Sequence, residues 1–124
     1  RGLWLLDPEA RRATPLPHPP GTTLIGIDGL YFDRGRLVAV QNDVHPARLL
    51  AIALTPGGET VRALRVLLTR TPELTGPTTG AIVGDDFYFF ANTPIEALSE
   101  EGKLTVPKAP LPAVAVRVLR LPPA

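Results

Sequence analysis

An all-β fold is what this sequence predicts, and three observations carry it. Short apolar runs recur along the chain, each closed by Pro, Gly or Asp turn signals at roughly ten-residue spacing. Only one stretch carries helical punctuation. A two-strand phrase is also written twice, as "GIDGLYFDRGRLVAVQND" (26–43) and "TTGAIVGDDFYFFAN" (78–92).

Taken in order, Leu3 to Leu6 is a first apolar run, closed by Asp7-Pro8. Arg12 to Leu16 reads as an edge strand, because Pro15 and Pro17 cannot donate to a ladder in mid-sheet. Leu24 to Phe32 and Arg36 to Gln41 flank Asp33-Arg34-Gly35, a turn whose glycine suits a positive φ. Arg48 to Leu54 and Thr60 to Leu68 flank a Thr-Pro-Gly-Gly turn. In the second of these, Val61, Leu64, Val66 and Leu68 fit alternation, while Leu64, Leu67 and Leu68 also fit a helix. Thr79 to Val83 and Phe87 to Ala91 surround Gly84-Asp85-Asp86. Residues 94–102 read as a helical turn, with Thr93 as N-cap, Pro94 at the first position and Gly102 as terminator. A proline-punctuated linker leads to a last strand, Ala113 to Leu121.

The repeat narrows the architecture. Setting Gly29 on Gly80, an offset of 51, brings Tyr31-Phe32 near Ile82-Val83; with a turn one residue shorter, Asn42 then meets Asn92. "LLAIALTPGG" (49–58) also lies beside "GLWLLDPEAR" (2–11), with Pro56 over Pro8. A period of about 40–50 residues with four strands per unit is the mark of β-propeller blades. On that reading residues 1–20 end one blade, 24–69 form a complete blade, and 78–124 form a last blade lacking its outer strand. The alternative is a nine-stranded β-sandwich. With no methionine anywhere, position 1 included, the sequence reads as a processed product, a trimmed chain or a fragment of something longer. The remaining blades are then expected from the same chain, a partner chain or copies of this one.

Composition excludes several function classes. The length of 124 residues gives one domain, and 13 Lys+Arg against 12 Asp+Glu leave no basic face for nucleic acid. Cysteine is absent, which removes thiolate chemistry and cysteine zinc sites. No apolar run has the roughly 20 residues needed for a membrane span. Ser99, the only serine, has no nucleophile-elbow context. His18 and His45 have no zinc spacing.

What remains are polar residues at strand ends. In a propeller the first strand of each blade lines the central channel, so Asp28-Gly29 stands at one mouth. Converging carboxylates and amides there would suit a hard cation such as Ca²⁺. Gln41 and Asn42 after the second strand, with Thr79 and Asn92 in the later phrase, are the candidate binding residues. Each has an ordinary reading beside it. Asp28 reads first as a turn or capping residue, and Asn42 and Asn92 first as bonding an inter-strand loop. Asp33, Asp85 and Asp86 read as solvated turn residues, and Phe87 to Phe90 as core.

"IDGLYFDRGRLVAVQN", "ARLLAIALTPGGETVRAL" and "PTTGAIVGDDFYFFAN" together resemble successive blades of the gluconolactonase / senescence-marker / luciferin-regenerating-enzyme-like six-bladed propellers. The resemblance implies a divalent metal in the channel and hydrolysis of sugar lactones, with Asp28 as metal ligand and acid/base. Two departures stand against it: Ile27 replaces the family's proline, and Asn42-Asp43-Val44-His45-Pro46 replaces its asparagine-glycine-glycine phrase. The other expected ligands lie outside this chain. Two functions follow as expectations. One is a secreted or periplasmic module that binds a small molecule or a protein without catalysis; the other is a metal-dependent lactone or ester hydrolase.

Overall fold

The computed structural model describes residues 2–107 and 111–124, and among them nine strands gather into three antiparallel sheets. The first sheet is a hairpin of β1 (Trp4–Asp7) and β2 (Arg12–Pro15). The second has four strands in chain order: β3 (Ile27–Asp33), β4 (Arg36–Gln41), β5 (Arg48–Leu54) and β6 (Val61–Thr69). The third has three: β7 (Gly80–Val83), β8 (Asp86–Phe90) and β9 (Val116–Arg120). No sheet closes into a barrel, and the fold is all-β. Among the described residues no helix is long and apolar enough to cross a membrane.

Local chemistry explains where the elements stop. Gly26 has φ +70, which ends the extended run that Leu24 begins, so β3 starts at Ile27. Val61 to Thr69 is a strand and not a helix, because it pairs with β5 along its length. The expected turn at 94–102 shrinks to one 3₁₀ turn at Ile95–Ala97, without a side-chain cap. Thr93 is no N-cap: its hydroxyl meets that of Thr78 at 3.1 Å, while Leu98 turns extended to bridge Leu104. Residues 108–110 of the linker lie outside the described residues.

The second sheet is covered on both faces. Side chains alternate across a strand, so Val38, Val40 and Leu49 meet Phe87, Phe89 and Leu121 of the third sheet region. Ala39, Leu50 and Ile52 meet Leu3, Leu5, Leu16 and Leu24 on the other side. This double burial is why β5 reads as the nearly unbroken apolar run "LLAIAL". Each fully buried aliphatic side chain contributes about 1.5–3 kcal/mol. Phe87 stacks on Phe89 with ring centroids 5.6 Å apart and meets Tyr31 at 5.1 Å.

The sheets succeed one another in the same orientation. β3–β4 and β7–β8 both turn on two residues, since Asp33 pairs with Arg36 and Val83 with Asp86. Arg34 and Gly35 both have positive φ, as a type I′ hairpin requires; in the second hairpin Gly84 has positive φ, as type II′ requires. The turns are therefore equal in length, and the offset of 51 is corrected to 50. Gly29 takes the place of Thr79 and not of Gly80; matching glycine to glycine slips the register by one. At the corrected offset Val38 and Val40 match Tyr88 and Phe90, and both pairs point away from the first sheet. Only β3 and β7 bring Cα atoms of different sheets within 8 Å. Among the described strands, the second and third sheets come closest in backbone at β3 and β7, and elsewhere they meet through side chains. The two outermost faces are apolar and exposed: Trp4 and Leu6 at one end, Val83, Tyr88, Phe90, Val116 and Val118 at the other.

Candidate functional site

A bulge places Asp28. The β3–β4 ladder pairs Ile27 with Gln41 and Gly29 with Val40, which leaves Asp28 as the extra residue. It is exposed beside Asn42, the first residue past β4, whose Nδ2 donates to Asp28 Oδ2 at 3.0 Å. The start of the strand is closed by Gly26, whose carbonyl accepts from the Asn42 and Asp43 amides at 3.1 and 3.3 Å. A Cβ on Gly26 would lie 2.7 Å from that of Asp43, so only glycine fits.

Fifty residues on, the same corner is rebuilt. Gly76 accepts from the Thr93 amide at 2.8 Å, and a Cβ there would lie 2.9 Å from the Thr93 carbonyl oxygen. Thr78 stands where Asp28 stood, and Asn92 where Asn42 stood. Asn92 bonds differently from its twin, since its Nδ2 donates to the Ala113 carbonyl at 2.9 Å and its Oδ1 accepts from the Ala115 amide at 2.7 Å. It therefore fastens the chain leading into β9. The two corners open on one cleft of about 850 Å³, which Asp28, Asn42, Thr78 and Asn92 line together. Asp43, Arg70 and Glu96 add charge to its walls.

Two of the expected binding residues lie elsewhere. Gln41 is fully buried; its amide donates to the Thr23 and Ile25 carbonyls, and its Oε1 accepts from Arg48 Nε. Its polar atoms are committed to the fold. Thr79 sits opposite Phe90 on the exposed face of the third sheet, where its carbonyl accepts from the Phe90 amide at 3.0 Å. Its neighbour Thr78 is the threonine of the cleft. Strand alternation, counted from the paired Asn residues, separates the two.

Neither a family model, nor a curated protein, nor a solved structure matches the chain. The chemistry of the cleft therefore has to be read from its own atoms. Asp28 Oδ1 makes no hydrogen bond among the described residues, so the carboxylate has one oxygen to offer. Among the described residues no three His, Cys, Asp or Glu side chains come together. Ca²⁺ takes 6–8 oxygens. The cleft's carboxylates, Asp28, Asp43 and Glu96, do not gather into one group among the described residues, so they do not make a complete calcium shell.

The other end of the sheets holds the ionic cluster. Asp33, expected to be solvated, is buried at 7% exposure. It accepts from Arg34 Nε at 2.9 Å and from Arg36 Nη2 at 2.8 Å. The hydrogen bonds from Arg34 hold its carboxyl below the ordinary aspartate value; burial opposes them, and Arg36 adds to them. Arg36 also donates to the carbonyls of Pro122 and Pro123, at 2.7 and 3.2 Å, which ties down the C-terminal tail. Asp85, half exposed, joins Arg34 at 2.7 Å to Arg120 at 2.9 Å. All of this is structural, and none of it faces the cleft.

Proposed function

We propose that this chain is a run of β-propeller blades whose cleft binds a small polar molecule, a ligand-binding module without catalysis of its own. The observation that carries the reading is the doubled corner: Asp28 with Asn42, and Thr78 with Asn92, at equivalent places in successive sheets and on one cleft. Supporting the propeller are the uniform orientation of the sheets, their closest approach at β3 and β7, and a middle sheet covered on both faces. A two-layer sandwich has no such middle layer. The exposed apolar faces at both ends are what further blades would cover.

The second reading is a metal-dependent lactone or ester hydrolase, favoured by the free Asp28 oxygen at the cleft. Within this chain the ligand set is too small for the metal, so no catalytic step is derived from it.

One titration separates the readings. The chain and an Asp28→Ala variant are melted with Ca²⁺, Mn²⁺ and Zn²⁺, and separately with a panel of polyols and sugar lactones. A ligand that binds the folded state raises Tm by mass action. Stabilisation of the wild type by a polyol or lactone, lost in Asp28→Ala and without hydrolysis, supports the binding module. Stabilisation by a metal together with lactone turnover favours the hydrolase. No shift with any compound removes both.

A further inference from the structure

The cleft between the two corners carries charges that the fold does not use. β6 ends at Thr69, whose hydroxyl donates to the Ala47 carbonyl at 3.0 Å and pins the strand end beside the 42–47 loop. Arg70 follows with φ +55, in the left-handed region that is unfavourable for a residue with a Cβ. Arg34, the comparable turn arginine with φ +47, is held by Asp33 and Asp85. Arg70 instead lines the cleft, with no ion-pair or hydrogen-bond partner among the described residues.

Opposite charge stands in the same cleft and stays apart from it. Asp43, fixed by its amide on the Gly26 carbonyl, flanks Asn42 together with Asp28. Asp28 Oδ1 is free, and the Asp43 carboxylate accepts no hydrogen bond among the described residues. Glu96 adds a third carboxylate, also unpaired among them. None of the three reaches the Arg70 guanidinium in an ion pair. The Thr78 and Thr93 hydroxyls bond each other at 3.1 Å, so one O–H of the two is left to donate.

This distribution selects a kind of guest. A polyol has no charge for either pole, a metal ion suits the carboxylates alone, and a simple anion suits Arg70 alone. We propose that the ligand of this cleft is a zwitterion of amino-acid to dipeptide size. Its carboxylate meets Arg70, whose planar fork suits a carboxylate, and its ammonium donates to Asp28 and Asp43. The cleft of about 850 Å³ has room for such a molecule. The inference rests on the reading of this cleft as a small-molecule site, and adds the class of ligand.

The probes are glycylglycine, N-acetylglycylglycine, which lacks the ammonium, and glycylglycinamide, which lacks the carboxylate. Each is titrated into the whole chain beside the polyols and lactones, with affinity read by calorimetry and location by NMR shifts of the Asp28, Arg70 and Thr78 amides. Glycylglycine should bind at least about tenfold more tightly than either capped form, and its affinity should fall with added salt. Arg70→Gln should erase its advantage over the amide and keep its advantage over the acetylated form. Asp28→Asn with Asp43→Asn should do the reverse. All three side chains are exposed, so the melting temperature of the free chain should hold in both variants. Equal affinity for the three peptides overturns the inference. So does a loss in Arg70→Gln shared by all three, which would make Arg70 a scaffold residue. Binding of a polyol or lactone at these amides, with none of glycylglycine, overturns the zwitterion and leaves the small-molecule reading standing. Silence toward every compound overturns both.

Discussion

Val40 and Phe90 hold the same place in two successive sheets, 50 residues apart, yet Val40 is 0% exposed and Phe90 41%. Ile52 and Trp4 repeat the contrast at the other end, at 0% and 52%. Each member of these pairs is apolar and sits in a strand of the same orientation. The difference lies in whether another sheet stands in front. Hydrophobic burial in this chain is thus a property of the stack and not of the residue. The second sheet owes its sealed core to having a neighbour on both sides.

The sharpest test of that contrast lies in adjacent residues of one strand. Phe89→Ala removes a side chain buried between the second and third sheets and should cost about 3–5 kcal/mol. Phe90→Ala, on the open face of the same strand, should cost less than about 1 kcal/mol. Urea unfolding of the two variants measures both. Similar losses would mean that the outer face is covered in solution, which would break the comparison.

The two hairpin turns differ next. Asp33→Ala leaves Arg36 buried without its carboxylate and should cost about 3 kcal/mol, whereas Asp85→Ala, at a half-exposed pair, should cost less than about 1 kcal/mol. The pH dependence follows with a definite sign. Because the folded state lowers the Asp33 carboxyl, its contribution is present above the ordinary aspartate range and is lost as pH falls through the folded value. Wild type should lose stability in acid below about pH 4, and Asp33→Asn should show a flatter acid limb in chemical unfolding at graded pH.

Much of the architecture was legible because apolar alternation and turn chemistry act locally. "DRGR" and "VGDD" mark two hairpins by what each φ demands of the chain, and "LLAIAL" marks a doubly covered strand. Burial of polar groups was not legible in the same way. Asp33 looked like a turn aspartate; only the fold brings the Pro122 and Pro123 carbonyls to Arg36 and sinks the pair beneath them. The one local sign was an arginine on either side of the glycine. Gln41 ends an apolar strand and reads as a polar rim residue, yet the loop at 23–25 wraps over it. For the cleft, Asp28, Asn42 and Asn92 were legible from their position at strand ends. Thr79 stood in place of Thr78 because aligning Gly29 with Gly80 sets Asp28 over Thr79, one residue past the threonine that lines the cleft.

Contact between the inner strands gives a smaller effect. The Gly80 amide donates to Tyr31 Oη at 2.6 Å, across the gap between β3 and β7. Tyr31→Phe keeps the ring packed on Phe87 but leaves that amide without its acceptor, at about 1–2 kcal/mol. Slower exchange at Gly80 in wild type than in the variant would locate the loss at this joint. An unchanged melting temperature would mean that water replaces the hydroxyl and the sheets are joined by packing alone.

The smallest expected effect concerns the twin asparagines, and it bears most directly on function. Asn92 spends its amide on the Ala113 carbonyl and the Ala115 amide, so Asn92→Ala frees the approach to β9 and should cost about 1 kcal/mol. Asn42 spends its Nδ2 on Asp28, an exposed carboxylate whose own solvation replaces the bond, so Asn42→Ala should change stability by less than about 0.5 kcal/mol. Ligand response should run the other way. Any stabilisation by a polyol or lactone should fall in Asn42→Ala, because Asp28 loses the group that orients it, and should persist in Asn92→Ala. Equal stability losses would make both asparagines loop fasteners and leave Asp28 an ordinary bulge residue. A split in stability and an opposite split in ligand response would give the doubled corner one structural copy and one binding copy.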